Sequence, residues 1–177
     1  KLEVDPSSLP WPTDFGTKEL PWKWPALDFG VGRQWLRDLR EKSGKPVLLV
    51  QPSTSRRDRS WAPEYFGRAA RLAADTLGLQ VVVIGHPDEK SRVDATAEHC
   101  PGSVPFLANI PALAGAMVES HRLLTGDTGP MHLAAALGLL NISVHVGSSW
   151  PFETGPFGRG HVAIGPRTVC RPCRQEQ

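Results

Sequence analysis

HRLLTGDTGPMHLAAALG, residues 121–138, is the stretch from which the fold can be read. Leu123, Leu124 and Thr125 read as the end of a buried strand, and Met131, Leu133, Ala134, Ala135, Ala136 and Leu137 are strong helix formers. Asp127, Thr128, Gly129 and Pro130 lie between them. Pro130 suits the first helical position, where its fixed φ fits and its missing N–H has no partner to lose. Asp127 or Thr128 is placed to cap the helix. A strand that becomes a helix across so few residues is half of a βα unit.

The same unit recurs upstream. PVLLVQ (46–51) is an apolar run followed by the amphipathic APEYFGRAARLAADTLG (62–78), which has Pro63 near its first turn and Gly78 at its end. QVVVIG (80–85) is the next buried strand, and PDEKSRVDATAEHC (87–100) the next helix. VPFLAN (104–109) and IPALAGAMVES (110–120) repeat the pattern, and NISVHVG (141–147) follows the opening unit as a further strand. Parallel neighbours need crossovers, and crossovers are usually helices. The strands are apolar on both faces, as buried parallel strands are. The alternation therefore predicts an α/β fold: a Rossmann-like parallel sheet with helices on both faces.

The ends of the chain read differently. Residues 1–29 hold five prolines and three tryptophans (Trp11, Trp22, Trp24) without periodicity, as an arm or interdomain linker does. A helix is predicted over 30–42, with Val31, Trp35, Leu36 and Leu39 as its stripe and Gly44 as its stop. The expected division is 1–45 as an arm with a helix and 46–177 as one Rossmann-like domain. A chain of 177 residues supports one sizeable core. It opens on Lys1 rather than methionine, as a piece of a longer protein does.

Totals exclude several classes. Twenty basic against 18 acidic side chains, a net charge of +2, give no field that would favour nucleic acid or a membrane surface. Cys100, Cys170 and Cys173 are too few and too oddly numbered for a disulfide framework and fit a reducing compartment. The CRPC at 170–173 has no second pair with which to complete a zinc site, so no metal is expected. The chain has no GxxxxGK[ST] loop, no GxGxxG after a strand and no nucleophile elbow, which removes the main support for ordinary ATPase, dinucleotide dehydrogenase and esterase readings.

In a parallel α/β sheet, ligands sit outside the carboxyl ends of the strands, and the unusual residues of this chain fall there. The free amides at residues 129–132, backed by the helix dipole, suit phosphate; a plain helix start explains the same residues. QPSTSRRDRSW (51–61) follows the first strand with Ser53, Thr54 and Ser55 and then Arg56, Arg57 and Arg59. Guanidinium forks bind phosphate oxygens, although a solvated basic loop has the same composition. Two anion-friendly features on one rim point to a diphosphate. In GHPDEK (85–90), Asp88 is expected to cap and Glu89 to be the freer acid, available to ribose hydroxyls. SSWPFETGPFGRGH (148–161) reads as an aromatic loop at the same edge, whereas Asn141 and Ile142 carry no functional signal.

GDTGPMHLAAALG, followed by a strand, a GPFG loop and CRPC, closely resembles the carboxyl-terminal half of the heptosyltransferases, glycosyltransferase family 9. The resemblance spans roughly residues 46–174, and DTGPMHLA is its most specific part. It implies the donor-binding second domain of a two-domain GT-B enzyme that transfers heptose from an ADP-sugar during assembly of the lipopolysaccharide core. By that resemblance the backbone at Thr128, Gly129 and His132 holds the pyrophosphate, and Asp127 bonds hydroxyls of the transferred sugar. Thr54, Ser55 and Arg59 sit on the phosphates, with Arg59 where relatives often carry lysine, and Glu89 approaches the nucleoside with Asp88 as its rival. The chemistry implied is inverting and metal-independent, with no cofactor. The catalytic base and the site for a lipid-linked or polysaccharide acceptor lie in the first domain, so this part alone is expected to be inactive. The implied location is cytoplasmic, peripheral to the inner membrane in the full-length protein. The alternative is a nucleotide-binding module without catalysis.

Overall fold

The computed structural model describes residues 29–166. The tryptophan-bearing part of the arm and the CRPC cysteines, Cys170 and Cys173, lie outside the described residues. Six strands form one sheet: β1 (Val47–Gln51), β2 (Gln80–Gly85), β3 (Val104–Leu107), β4 (Arg122–Gly126), β5 (Asn141–Val144) and β6 (Val162–Ile164). Their spatial order is β3-β2-β1-β4-β5-β6, and every neighbouring pair is parallel. The helices are α1 (Gly30–Ser43), α2 (Pro63–Leu77), α3 (Lys90–Glu98), α4 (Ile110–Val118), α5 (Gly129–Ala136) and α6 (Pro151–Thr154).

Alternation along each strand divides the interior into two cores. Val47 and Leu49 of β1, Val82 and Ile84 of β2 and Leu123 of β4 face one side, where they pack with Leu36 of α1, Leu113 and Met117 of α4 and Ala134 of α5. Leu48, Val50, Val81, Val83 and Leu124 face the other, with Phe66 and Ala70 of α2 and Val93 of α3. Each such side chain contributes about 1.5–3 kcal/mol when fully buried. A helix cap is worth about 1 kcal/mol, so the two-sided apolar strands dominate the choice of fold. Helix ends follow the expected residues: Gly44 and Gly78 close α1 and α2 in the left-handed region, at φ 63° and 68°.

Two elements go beyond the sequence reading. The stretch 148–161 contains the single turn α6, and β6 follows it as an edge strand. Val162 and Ile164 are half exposed because β6 has a neighbour on one side only, and a three-residue strand offers no periodicity to read. Residues 87–89 also form a 3₁₀ turn before α3 begins.

Candidate functional site

The strand order reverses direction between β1 and β4, and a crevice opens at the carboxyl ends of these neighbours. Gln51 and Thr125 are register partners there, and both are buried. The loops after β1, β4 and β5 meet above them.

Asp127, immediately after β4, is buried at 7% exposure and is the hub of the crevice. Three donors converge on its Oδ2: Arg59 Nη1 at 3.0 Å, Ser149 Oγ at 2.8 Å and Thr154 Oγ1 at 3.0 Å. Thr54 Oγ1 donates to the Asp127 carbonyl at 3.2 Å, which ties the loop after β1 to the loop after β4. A carboxylate this deep requires such donors, since an unpaired buried charge costs several kcal/mol.

The loop after β1 is held from two sides. Arg59 Nε donates to Ser148 Oγ at 3.1 Å, and Ser148 donates to Asp58. Arg56 grips the same carboxylate through Nε and Nη2, at 3.0 and 3.2 Å. The Arg56 bond, seconded by Ser148, holds the Asp58 carboxyl down at about 2. Gly147 makes this crossing of loops feasible: its φ is 60°, and a Cβ there would lie 1.8 Å from the Asp58 carbonyl oxygen. On the other side, Arg92 of α3 donates to the carbonyls of Pro52 and Trp61 and to Ser60 Oγ. The loop is thus a braced scaffold.

The start of α5 faces the same crevice. Thr128 holds the N-cap position in extended conformation, but neither expected cap forms: its hydroxyl makes no capping bond, and the Asp127 carboxylate is turned to Arg59, Ser149 and Thr154. The Met131 amide bonds the Thr128 carbonyl at 3.1 Å. The amide of Gly129 has no acceptor among the described residues. A Cβ built on Gly129 meets nothing within 4 Å, so the fold itself does not require glycine there.

The candidate positions separate into groups. Asp127, Thr128, Gly129, Thr54 and Arg59 are brought to one place; His132 is exposed within the first turn of α5, and Ser55 is exposed in the loop after β1. Two of the three guanidinium nitrogens of Arg59 already bond Asp127 and Ser148. The expectation for the acidic pair reverses. Glu89 is the capping residue, its Oε2 accepting from the His86 amide at 2.8 Å, while Asp88 is exposed and meets His86 Nδ1 at 3.1 Å. A glutamate at the third position of a turn reaches back to the cap amide, and the shorter aspartate one residue earlier does not.

Sequence reasoning missed Ser148, Ser149, Thr154, His145, Asp58 and Arg92. The paired serines at a strand end were the available signal, overshadowed by the aromatics beside them. Trp150 and Phe152 do pack together, with ring centres 5.2 Å apart, and Phe157 is half exposed on the same loop. Asn141, without signal in the sequence, is buried and donates to the Met131 carbonyl at 3.0 Å, pinning α5 to β5. A cavity of about 520 Å³ lies at the opposite rim, lined by Arg37, Arg40, Lys45, Glu119 and His121. There Arg37, at 2.7 Å, and Arg33, at 3.0 Å, pair with Glu119 and hold its carboxyl below the usual range. Among the described residues, no group of three or more His, Cys, Asp or Glu stands where it would hold a metal ion. None of their helices is long and apolar enough to cross a membrane.

A family model described as glycosyltransferase family 9 (heptosyltransferase) matches residues 16–177. The chain belongs to glycosyltransferase family 9. Lipopolysaccharide heptosyltransferase 1 of Escherichia coli K12 is 27% identical over 154 residues, covering 84% of this chain and 44% of that protein. Among solved structures, E. coli heptosyltransferase WaaC with ADP aligns with a TM-score of 0.61 at 25% identity, covering 82% of this chain and 46% of that one. A family 9 glycosyl transferase from Veillonella parvula DSM 2008 aligns with a TM-score of 0.66 at 20% identity, over 76% of this chain and 40% of that one. The latter likeness is one of fold. The chain spans less than half the length of the relatives it matches.

Proposed function

We propose that this family 9 chain is the donor-binding second domain of a GT-B heptosyltransferase and that it takes an ADP-heptose-like nucleotide-sugar. One observation carries the reading: the Asp127 carboxylate, the unpartnered amide of Gly129 and the Arg59 guanidinium meet at the switch point of the sheet. The amides of Thr128 and Gly129, with the α5 dipole behind them, hold the diphosphate. Thr54, Ser55 and the remaining nitrogen of Arg59 close on it from the loop after β1. Asp127 accepts from hydroxyls of the transferred sugar, and the exposed edge of the Glu89 turn lies toward the nucleoside. Reaction at the anomeric carbon inverts its configuration and needs no metal, because fixed donors stabilise the departing diphosphate.

The base that deprotonates the acceptor hydroxyl belongs to the other domain, so 1–45 links the two and 46–177 binds donor without turnover. The acceptor is the lipid-linked core of lipopolysaccharide, reached from the cytoplasmic side of the inner membrane. E. coli heptosyltransferase WaaC has been solved with ADP and with ADP-2-deoxy-2-fluoro heptose, which supports the choice of donor.

The test is calorimetric titration of the chain with ADP, UDP and ADP-heptose, beside an Asp127→Ala variant. Binding of ADP over UDP is expected, with the heptose adding affinity only when Asp127 is present. Equal affinity for all three ligands, or a heptose increment that survives Asp127→Ala, refutes the assignment.

A further inference from the structure

A buried chain of hydrogen bonds runs from Asp127 back into the sheet. Ser149 Oγ stands 2.8 Å from Asp127 Oδ2 and 2.7 Å from His145 Nδ1, and His145 Nε2 stands 2.9 Å from Ser143 Oγ. Ser143 lies on β5 and His145 just beyond it; both are fully buried, and Ser149 is 1% exposed. The order of donors follows from valence. A carboxylate only accepts, so the single hydroxyl proton of Ser149 goes to Asp127. The Ser149 oxygen must then accept from His145, which places a proton on Nδ1. Burial, foremost among the influences on His145, disfavours its charged form. In the neutral ring Nε2 is bare and accepts from Ser143.

We propose that His145 is a positioning residue for Asp127: its Nδ1–H fixes Ser149 as a donor to Oδ2 and leaves Oδ1 to the hydroxyls of the bound sugar. This rests on the donor-site reading above. The physical need is plain. Of the three donors Ser149 is the fully buried one, and a partner that donates to its oxygen keeps its hydroxyl proton directed at the carboxylate. With Oδ2 saturated by three donors, the carboxylate has one oxygen left to read a ligand, and its plane is set. No sequence motif announces the arrangement, because serine, histidine and serine at 143, 145 and 149 become a chain only through the turn after β5.

Two measurements on the full chain test it. The first is the ring-nitrogen spectrum of ¹⁵N-histidine protein at neutral pH, with the His145 signals assigned by their loss in His145→Asn. A neutral Nδ1–H ring is expected; an Nε2–H ring or an imidazolium overturns the proposal. The second is titration of ADP and ADP-heptose against the wild type, His145→Asn, His145→Gln and Ser149→Ala. The amide nitrogen of asparagine overlays Nδ1, whereas that of glutamine overlays Nε2. His145→Asn should therefore keep the preference for ADP-heptose over ADP, while His145→Gln and Ser149→Ala reduce it about tenfold with ADP affinity unchanged, as loss of one charge-assisted donor predicts. Equal losses for both ligands, or an asparagine variant as impaired as the glutamine one, overturn the positioning role. A wild type without preference sinks the donor reading and the sugar-facing role with it. A wrong tautomer beside an intact wild-type preference sinks this proposal alone.

Discussion

Gly129→Ala separates what the fold requires from what a ligand requires. The φ of Gly129 lies outside the left-handed region, and a Cβ there meets no atom within 4 Å. Alanine for glycine at an unstrained site stabilises by about 0.4–1 kcal/mol through the unfolded chain. Pro130 follows, and a Cβ before proline disfavours helical torsions, which offsets that gain. The net change should stay within about 1 kcal/mol, or about 2–4 °C in Tm for a domain of this size. Ligand binding responds differently. The added methyl stands beside the Gly129 amide, so a diphosphate held there loses at least one charge-assisted hydrogen bond. That is about 1.5–3 kcal/mol, or roughly 10- to 150-fold in Kd. Scanning calorimetry without ligand and titration calorimetry with ADP measure the two halves on one preparation. ADP affinity equal to wild type would refute the placement of the diphosphate at α5. A Tm lowered well beyond 4 °C would show instead that the fold itself needs this glycine.

The scaffold around the site gives three further expectations. Gly147→Ala puts a Cβ 1.8 Å from the Asp58 carbonyl oxygen and adds left-handed strain, so urea unfolding should show a loss of about 2 kcal/mol or more. Arg92→Met removes the donors to Pro52, Ser60 and Trp61; amides of residues 53–61 should exchange about tenfold faster, while those of β4 keep their protection. Asp58 has a folded pKa of about 2 against an ordinary 3.8, so the folded state binds fewer protons in that interval. Its contribution is therefore present above 3.8 and disappears as pH falls through 2; the Tm gap between wild type and Asp58→Asn should be visible at pH 6 and much smaller at pH 2.

How much of this was legible in the sequence depends on the range over which each feature is specified. VLLVQ, QVVVIG and RLLTG had to be strands buried on both faces, because each alternates its residues between two cores and no solvent-facing stripe interrupts them. The helices were equally local, since proline near a first turn and glycine after a last one act within a single element. Asp127 was legible as important for the same reason: an acid between a buried strand and a helix start is conspicuous wherever the rest of the chain goes. Its partners were not, because Arg59, Ser149 and Thr154 reach it from loops 68, 22 and 27 residues away. Glu89 shows the converse error, a contact of three residues read as a free acid because both acids of the pair fit a cap and only the geometry of the turn chooses between them. The site is thus specified at two levels. The strand order, set by local apolar patterns, places the crevice, and polar pairs between loops, invisible to any periodicity, decide which oxygen of Asp127 remains for chemistry. A substitution in a strand should therefore change stability and binding together, whereas one at Ser149, His145 or Gly129 should change binding with the sheet left intact.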